Sequence, residues 1–313
     1  MKVAITGAAG YVGDLLARVH AARGDAVHAL ARRAESVPAL PGITPYGADV
    51  TMSDTIPDAF FEGADVLYHC AAEIAREPLM RAVNVEATRA LLLRARGLVG
   101  HWVQLSSLSV YGTPRSGVVD EDSAINPRTL YARTKLESDE LVADRSRSSF
   151  TYTLVRPAAV IGPNMRGPSM RSLIGAVATG RFCFIGAPGA IGNYIHEDDI
   201  VQALVLCATR IEAHSRTYNV SQNCTIEDMV GAIAAALGSA RRPLRLPEMP
   251  ARLAAQIAHV VPAFPLTSAR VDALTSRVEY RTERIASELG FRQTRSVPDA
   301  LREIAAVWKG GAK

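Results

Sequence analysis

The feature that most restricts what this chain can fold into is a glycine turn near its start. Thr6-Gly7-Ala8-Ala9-Gly10-Tyr11-Val12-Gly13 joins an apolar run, Val3–Thr6, to a helical pattern running from Tyr11 to Arg23. A strand that passes through glycines straight into a helix is a phosphate-binding arrangement. Gly7 permits the tight turn, Gly10 lets the backbone approach a pyrophosphate, and Gly13 lets the helix lie close on the sheet. The phosphates then meet the free N–H groups and the positive end of the helix. Taken alone, such a turn also occurs in chains that bind nothing there.

The rest of the N-terminal half repeats the alternation. Strand patterns at Ala26–Ala31, Val66–Cys70, Trp102–Leu105 and Tyr152–Arg156 are interleaved with helical patterns at Leu79–Arg96 and Tyr131–Asp144. Strands alternating with helices of this length imply βαβ units and a parallel sheet. The fold class is therefore α/β, a Rossmann-type doubly wound parallel sheet with a smaller C-terminal substrate-binding region. After Pro157 glycine and proline recur around a helical piece near Ser169–Thr179, and five prolines punctuate Pro243–Pro265 around a short Ala-rich helix. Tyr218–Ser221 reads as a returning strand, Thr225–Leu237 and Glu283–Leu289 as helices, the last stopped by Gly290. The expected division is residues 1–157, with returning segments near 191–221, for the dinucleotide, and 158–190 with 222–313 for the substrate.

Composition narrows the partners. Across 313 residues, 35 basic side chains nearly balance 31 acidic ones, for a net charge of +4, with no block of one sign. Such a balance excludes a nucleic-acid tail but suits small anionic ligands. Cys70, Cys183, Cys207 and Cys224 stand singly without metal-like spacing, so they read as free thiols and no metal site is expected. No apolar stretch is long enough for a membrane span, and MKVAITGAAG lacks the apolar run of a signal peptide, so a cytoplasmic location is expected.

Discrimination between NAD and NADP rests on the end of the second strand, where a carboxylate would bond the ribose 2′-OH. The chain has Arg32-Arg33 there and no carboxylate before Glu35. A guanidinium forks onto a phosphate, so NADP is favoured, through Arg32 first and Arg33 second. Both can equally be solvated arginines. Asp49-Val50, in the turn after a third strand region, is placed for the adenine amino group, or Asp49 is a turn residue.

Tyr131 and Lys135 lie four residues apart and so share a helix face. A phenol with its ordinary pKa near ~10 is a poor base at neutral pH, but a neighbouring cation favours the phenolate. Tyr131 is then suited to exchange a proton with a carbinol oxygen while a hydride moves. Upstream, Gln104-Leu105-Ser106-Ser107-Leu108-Ser109-Val110-Tyr111-Gly112 puts small hydroxyls at the carboxyl end of a strand, where one can hold the reacting oxygen. Ser106 and Ser109 can instead bond the local backbone.

These elements, in this order, resemble the extended short-chain dehydrogenase/reductase family, also called the NAD-dependent epimerase/dehydratase family. The likeness spans nearly the whole chain: TGAAGYVG at 6–13, HCAA at 69–72, NVEAT at 84–88, SSLSVYG at 106–112, YARTK at 131–135, RPAAVIGP at 156–163, YIHEDDI at 194–200 and YNVS at 218–221. The resemblance implies that Ser107, Tyr131 and Lys135 are catalytic. It implies cofactor contacts at Gly7, Gly10, Tyr11, Val12, Asp49, Val50, Ala71, Ala72 and Pro157, with Arg32 near a 2′-phosphate. Asn84 is implied to order the cofactor surroundings, and His196, Asp198 and Asp199 to belong to a largely structural segment.

Two departures bear on substrate. Many nucleotide-sugar members carry Asn where this chain has Ala159 and Arg where it has Gly192. RPAAVIGPNMRGPSMRSLI resembles a branch that reduces or epimerises keto-sugar nucleotides, with Arg166 or Arg171 meeting the diphosphate and Ser107 and Ser109 the sugar. The expected function is thus hydride transfer at a secondary alcohol or ketone, as a nucleotide-sugar 4-epimerase or 4-keto reductase. The alternative is an oxidoreductase for an apolar ketone, resembling the hydroxysteroid dehydrogenase and dihydroflavonol reductase branches, to which Ala158, Ala159 and the Pro-rich 243–265 stretch are suited. A third reading is a dinucleotide-binding regulator without turnover, which would not need Tyr131 and Lys135. A homodimer through Leu79–Arg96 and Tyr131–Asp144 is implied by the family.

Overall fold

The computed structural model describes residues 1–145, 150–165, 167–257 and 267–311. Its N-terminal half runs β1 (Lys2–Thr6), α1 (Tyr11–Ala22), β2 (Ala26–Ala31), β3 (Ile43–Gly47), β4 (Ala64–His69), α2 (Glu77–Arg81), α3 (Ala87–Arg94), β5 (Val99–Leu105), β6 (Ser116–Val119), α4 (Leu130–Arg145) and β7 (Thr151–Pro157). It continues through β8 (Ala159–Ile161), α5 (Pro168–Thr179), β9 (Cys183–Ile185), β10 (Ile191–His196), α6 (Glu197–Thr209), β11 (Arg216–Val220), β12 (Gln222–Thr225) and α7 (Ile226–Leu237). The last elements are β13 (Leu244–Leu246), α8 (Glu248–Ile257), α9 (Ser268–Thr275), β14 (Arg277–Tyr280), α10 (Glu283–Leu289) and α11 (Val297–Gly311).

Seven parallel strands form the central sheet in the order β11-β7-β5-β4-β1-β2-β3. The strands bury both faces, as a parallel sheet covered by helices must. Val3, Ile5, Val66, Tyr68, Val103 and Val155 enter one core cluster, while Ala4, Leu67, Trp102 and Leu154, one residue out of step, enter another. The chain moves outward from β1 to β3 and then returns to the other side of β1 with β4. That reversal is the topological switch point of a doubly wound sheet, and ligands bind at the carboxyl ends of the strands beside it.

Of the segments near 191–221, Arg216–Val220 joins the central sheet and Ile191–His196 lies in a three-stranded sheet, β12-β10-β8. Two short parallel ribbons, β13-β9 and β14-β6, complete the strands. A third apolar cluster, including Met170, Ile174, Met229, Ile233, Leu301 and Ile304, joins α5, α7 and α11.

The single helix expected at Leu79–Arg96 is helical from Glu77 to Arg94 but carries one wide π turn, Ala82–Glu86, between α2 and α3. Helices α6, α9 and α11 are additions to the sequence expectation. No helix among the described residues is long and apolar enough to cross a membrane.

Candidate active site

At the switch point the glycines are required by the space around them. Gly7 has φ +68°, and a Cβ on it would lie 2.7 Å from the Ala71 nitrogen. A Cβ on Gly13 would lie 2.3 Å from the Gly7 carbonyl oxygen, so α1 approaches the turn as closely as backbone allows. The Gly10 amide donates to the Gly7 carbonyl at 2.8 Å, and α1 begins at Gly10 without a side-chain cap. An uncapped helix end above a cradle that a Cβ would fill fits the pyrophosphate of a dinucleotide. Half-buried Tyr11 and Val12 open this helix.

Beneath the turn lies a buried polar chain. The Thr6 hydroxyl meets His69 Nδ1 at 2.7 Å and accepts the Ala71 amide at 3.3 Å, while His69 Nε2 meets the Thr88 hydroxyl at 2.9 Å. Burial drives His69 down to about 3, with Lys135 adding to the shift, so its ring is neutral and joins two hydroxyls. The network continues from Thr88 to Ser138, Gln104 and the Trp102 indole. It registers β1, β4, β5 and α4 against one another.

Asn84 occupies the π turn, where such turns often mark functional positions. Its Oδ1 accepts the Glu73 amide at 2.8 Å, and its Nδ2 donates to the Glu73 carbonyl and the Thr134 hydroxyl, both at 3.0 Å. Asn84 therefore clamps the loop that follows Ala71 and Ala72 to the helix bearing Tyr131. The Glu73 carboxylate binds the Arg76 side chain and the Ala75 and Arg76 amides, which hold it down to about 2.

Three side chains named from sequence converge at the carboxyl end of β5. Ser107 starts a short 3-10 turn, Leu108–Tyr111, with its Oγ accepting the Ser109 amide at 3.2 Å. The Tyr131 phenol is pushed up by burial, an effect opposed by its hydrogen bond with Ser107. Lys135, 2% exposed, donates from Nζ to the Leu105 carbonyl at 2.7 Å. Burial lowers its ammonium, opposed by Asp139 and Cys70. The Ser109 hydroxyl is buried without a partner among the described residues.

The outer cofactor positions are more open. Arg32 and Arg33 are exposed just past β2, and Arg33 sits 3.8 Å from Glu35. Asp49 accepts the Thr51 amide at 2.9 Å and hydroxyl at 2.7 Å; these bonds and nearby Arg32 hold its carboxyl below the usual range. Val50 packs under the cluster of Leu30, Phe60 and Phe61, and Pro157 is buried where β7 ends. Arg171 is exposed on α5, its guanidinium 3.4 Å from the Met165 carbonyl. Arg166 and the 258–265 part of the Pro-rich stretch lie outside the described residues.

Strands β8 and β10 pair so that Tyr194 faces Ala159. Gly192 is buried on β10, where a Cβ would lie 2.7 Å from Met229 Sδ and 2.9 Å from the Tyr194 ring. His196 caps α6 by accepting the Asp198 amide at 3.1 Å, and Asp199 accepts the Thr294 amide and hydroxyl. Both side chains fasten elements together.

Sequence reading gave no role to Asp139 and Arg156. The Asp139 carboxylate accepts Ser106 Oγ at 2.7 Å and Arg156 Nε at 3.4 Å, and Arg156 also donates to the Tyr111 hydroxyl at 2.9 Å. An arginine inside the apolar strand Thr151–Pro157 was the available signal. It needed a buried anion, and Asp139 supplies it.

Residues 3–221 match the family described as "NAD dependent epimerase/dehydratase family". The chain is 33% identical over 262 residues to "Sterol demethylase protein B" of Methylococcus capsulatus, covering 79% of this chain and 78% of that one. It is 29% identical over 220 residues to "4-hydroxy-2-methyl-3-oxo-4-farnesyl-3,4-dihydroquinoline-1-oxide ketoreductase" of Stigmatella aurantiaca, covering 67% and 65%. Among solved structures, UDP-glucuronic acid 4-epimerase from Bacillus cereus in complex with NAD superposes with a TM-score of 0.80 at 19% identity over 100% of both chains.

Proposed function

Because the chain belongs to the NAD-dependent epimerase/dehydratase family, we propose that this enzyme interconverts a secondary alcohol and a ketone on an apolar, steroid-like or isoprenoid substrate, with NADP as its preferred cofactor. The observation that carries this reading is the packing at Gly192. Where nucleotide-sugar relatives carry an arginine, this chain has a glycine closed over by Met229 and Tyr194. Exposed Ala159 in place of an asparagine removes a second polar contact from the same side. A diphosphate needs cationic partners, whereas an apolar ring system needs a surface without unpaired polar groups. The names of the sterol demethylase and farnesyl-quinoline ketoreductase relatives favour the same substrate class. The nucleotide-sugar reading draws on the family and on a structural likeness at 19% identity, which concerns the fold.

A bound nicotinamide ring supplies the hydride donor or acceptor. The protein's own part is proton handling and positioning. Ser107 holds the substrate oxygen beside the Tyr131 hydroxyl. Burial keeps the Tyr131 proton in place, the form that delivers it to a carbonyl oxygen during ketone reduction. Lys135 sets the field under the phenol from its anchor on the Leu105 carbonyl. Arg32, exposed beside Asp49, takes the 2′-phosphate of NADPH. The assembly we propose is a homodimer, with exposed Leu79 and Leu93 on the helical run Glu77–Arg94 at its interface.

The test is NADPH consumption followed at 340 nm with a panel of 3-ketosteroids and farnesyl-bearing ketones, beside UDP-glucose and UDP-glucuronate assayed by product chromatography. Turnover of the apolar ketones, abolished in Tyr131→Phe, supports the reading. Epimerisation of a UDP-sugar without turnover of any apolar ketone would replace it with the nucleotide-sugar function.

A further inference from the structure

We propose that Asp139 is a positioning residue for Lys135: its buried carboxylate, held by Ser106 and Arg156, keeps the ammonium charged beneath the reacting tyrosine.

An ammonium has three protons to place, and the Leu105 carbonyl takes one of them. A buried cation without a compensating anion gives up its proton. Several ionisable groups face this one. Tyr131 and Asp139 lie on its own helix, His69 and Cys70 come from the end of β4, and Arg156 reaches Asp139 from β7.

Most of these cannot be the anion. Burial holds His69 neutral and pushes the Cys70 thiol up to about 12, and burial also keeps the Tyr131 proton on. Asp139 remains. It lies four residues beyond Lys135, one helical turn along the same face, and is 2% exposed. Burial raises its carboxyl overall, with Arg156, Lys135 and Ser106 opposing the rise; the support for its ionised form is geometric, a guanidinium at 3.4 Å and the Ser106 hydroxyl at 2.7 Å.

The carboxylate is also fixed in place. Its Oδ2 takes both the Ser106 hydroxyl and the Arg156 guanidinium, and Arg156 is itself held by the Tyr111 hydroxyl and lies 5.2 Å over that ring. Its Oδ1 makes no hydrogen bond among the described residues. Ser106 precedes Ser107, so the same carboxylate is tied to the strand end that presents the serine hydroxyl. One anion thus fixes the charge state of Lys135 and the seat of Ser107.

The proposal rests on Tyr131 and Lys135 being the proton-handling pair, but its test needs no substrate and is independent of turnover. The chain has only four lysines, Lys2, Lys135, Lys309 and Lys313, so protein labelled with 13C at lysine Cε gives a four-signal spectrum, assigned with Lys135→Arg. Titration of the Lys135 signal is compared in wild type, Asp139→Asn, Asp139→Glu and Ser106→Ala. Asp139→Asn is expected to lower the midpoint by about one pH unit or more. Asp139→Glu should restore it, and Ser106→Ala, which keeps every charge, should leave it near wild type. If Asp139→Asn does not fold, as judged by circular dichroism, the double variant Asp139→Asn/Arg156→Gln removes the stranded guanidinium and should show a lowering in the same direction, smaller because a cation leaves with the anion. An unchanged midpoint in the folded Asn variant overturns the proposal. So does an equal lowering in Asp139→Glu, which would trace the effect to packing.

Discussion

The two sides of the crevice are built from different materials. On the cofactor side, the glycine turn is backbone against backbone, with Gly7 set against Ala71 and Gly13 against Gly7 at distances that admit no Cβ. On the side proposed for substrate, β8 and β10 are paired, with Ala159 and Gly192 where the family resemblance implies asparagine and arginine in nucleotide-sugar members. A backbone cradle binds what every dinucleotide shares, its pyrophosphate, and leaves sequence little latitude. A wall of side chains can exchange ligands without moving a strand.

The hardest blow to this contrast should come from Gly13→Val. Its side chain would collide with the Gly7 carbonyl, and we expect NADPH affinity measured by calorimetry to fall more than about 100-fold, in line with overpacking of about 3 kcal/mol. Tyr131→Phe should lower kcat by about 10²–10⁴-fold while NADPH affinity changes little, separating proton transfer from the cradle. A comparable loss of NADPH affinity would show that the two are one structure.

Two buried histidines, His69 beneath the glycine turn and His101 near the start of β5, give an acid limit to stability. His69 at about 3 and His101 at about 4 are both depressed from 6.5, chiefly by burial. Above 6.5 neither state binds the proton, so their folded-state advantage is complete. As pH falls below 6.5 the unfolded chain takes up protons that the folded one refuses, so stability drops by roughly 1.4 kcal/mol per pH unit per histidine, down to each folded value. Urea denaturation between pH 7 and 4 should show this slope, and His101→Gln should remove about half of it. A curve flat across that range would mean that these rings are solvated.

Smaller effects test the edges. Arg32→Ala should cost NADPH about 10- to 100-fold in affinity and leave NADH unchanged, the scale of a charged hydrogen bond to phosphate. Ala159→Asn, at an exposed position, should change stability by less than about 0.5 kcal/mol and NADPH affinity not at all, while altering kcat/KM for the ketone. Lost cofactor affinity in that variant would deny the independence of the two walls.

The same contrast explains what could be read from the chain. Backbone-determined features leave glycines at fixed spacing, so the turn and the strands around it were legible. Helix α6 was not, because Ile200, Val201, Ala203, Leu204, Val205 and Cys207 bury more than half of its circumference and so broad an apolar face blurs the amphipathic signature. The π turn escaped too, since a single widened turn leaves the apolar spacing of Leu79–Arg96 nearly intact. Asp139 and Arg156 are found only once α4 and β7 are brought together, because a buried ion pair is a statement about two distant segments. Arg166 and Arg171 drew attention for their charge, yet Arg171 is an exposed side chain on α5.

The wide turn at Ala82–Glu86 can also be viewed as an insertion that the helix has absorbed. Each residue turns an α-helix by about 100°, so removing one residue there would restore regular winding and swing everything before it by that angle. Arg81 would leave its two contacts of 2.9 Å with Glu137 on α4, and Asn84 could not bond Glu73 and Thr134 together. The loop bearing Ala71 and Ala72 would lose its alignment with the helix bearing Tyr131. One surplus residue therefore acts as a phase setting between that loop and Tyr131, and a single-residue deletion should lower NADPH affinity and turnover together, unlike Tyr131→Phe.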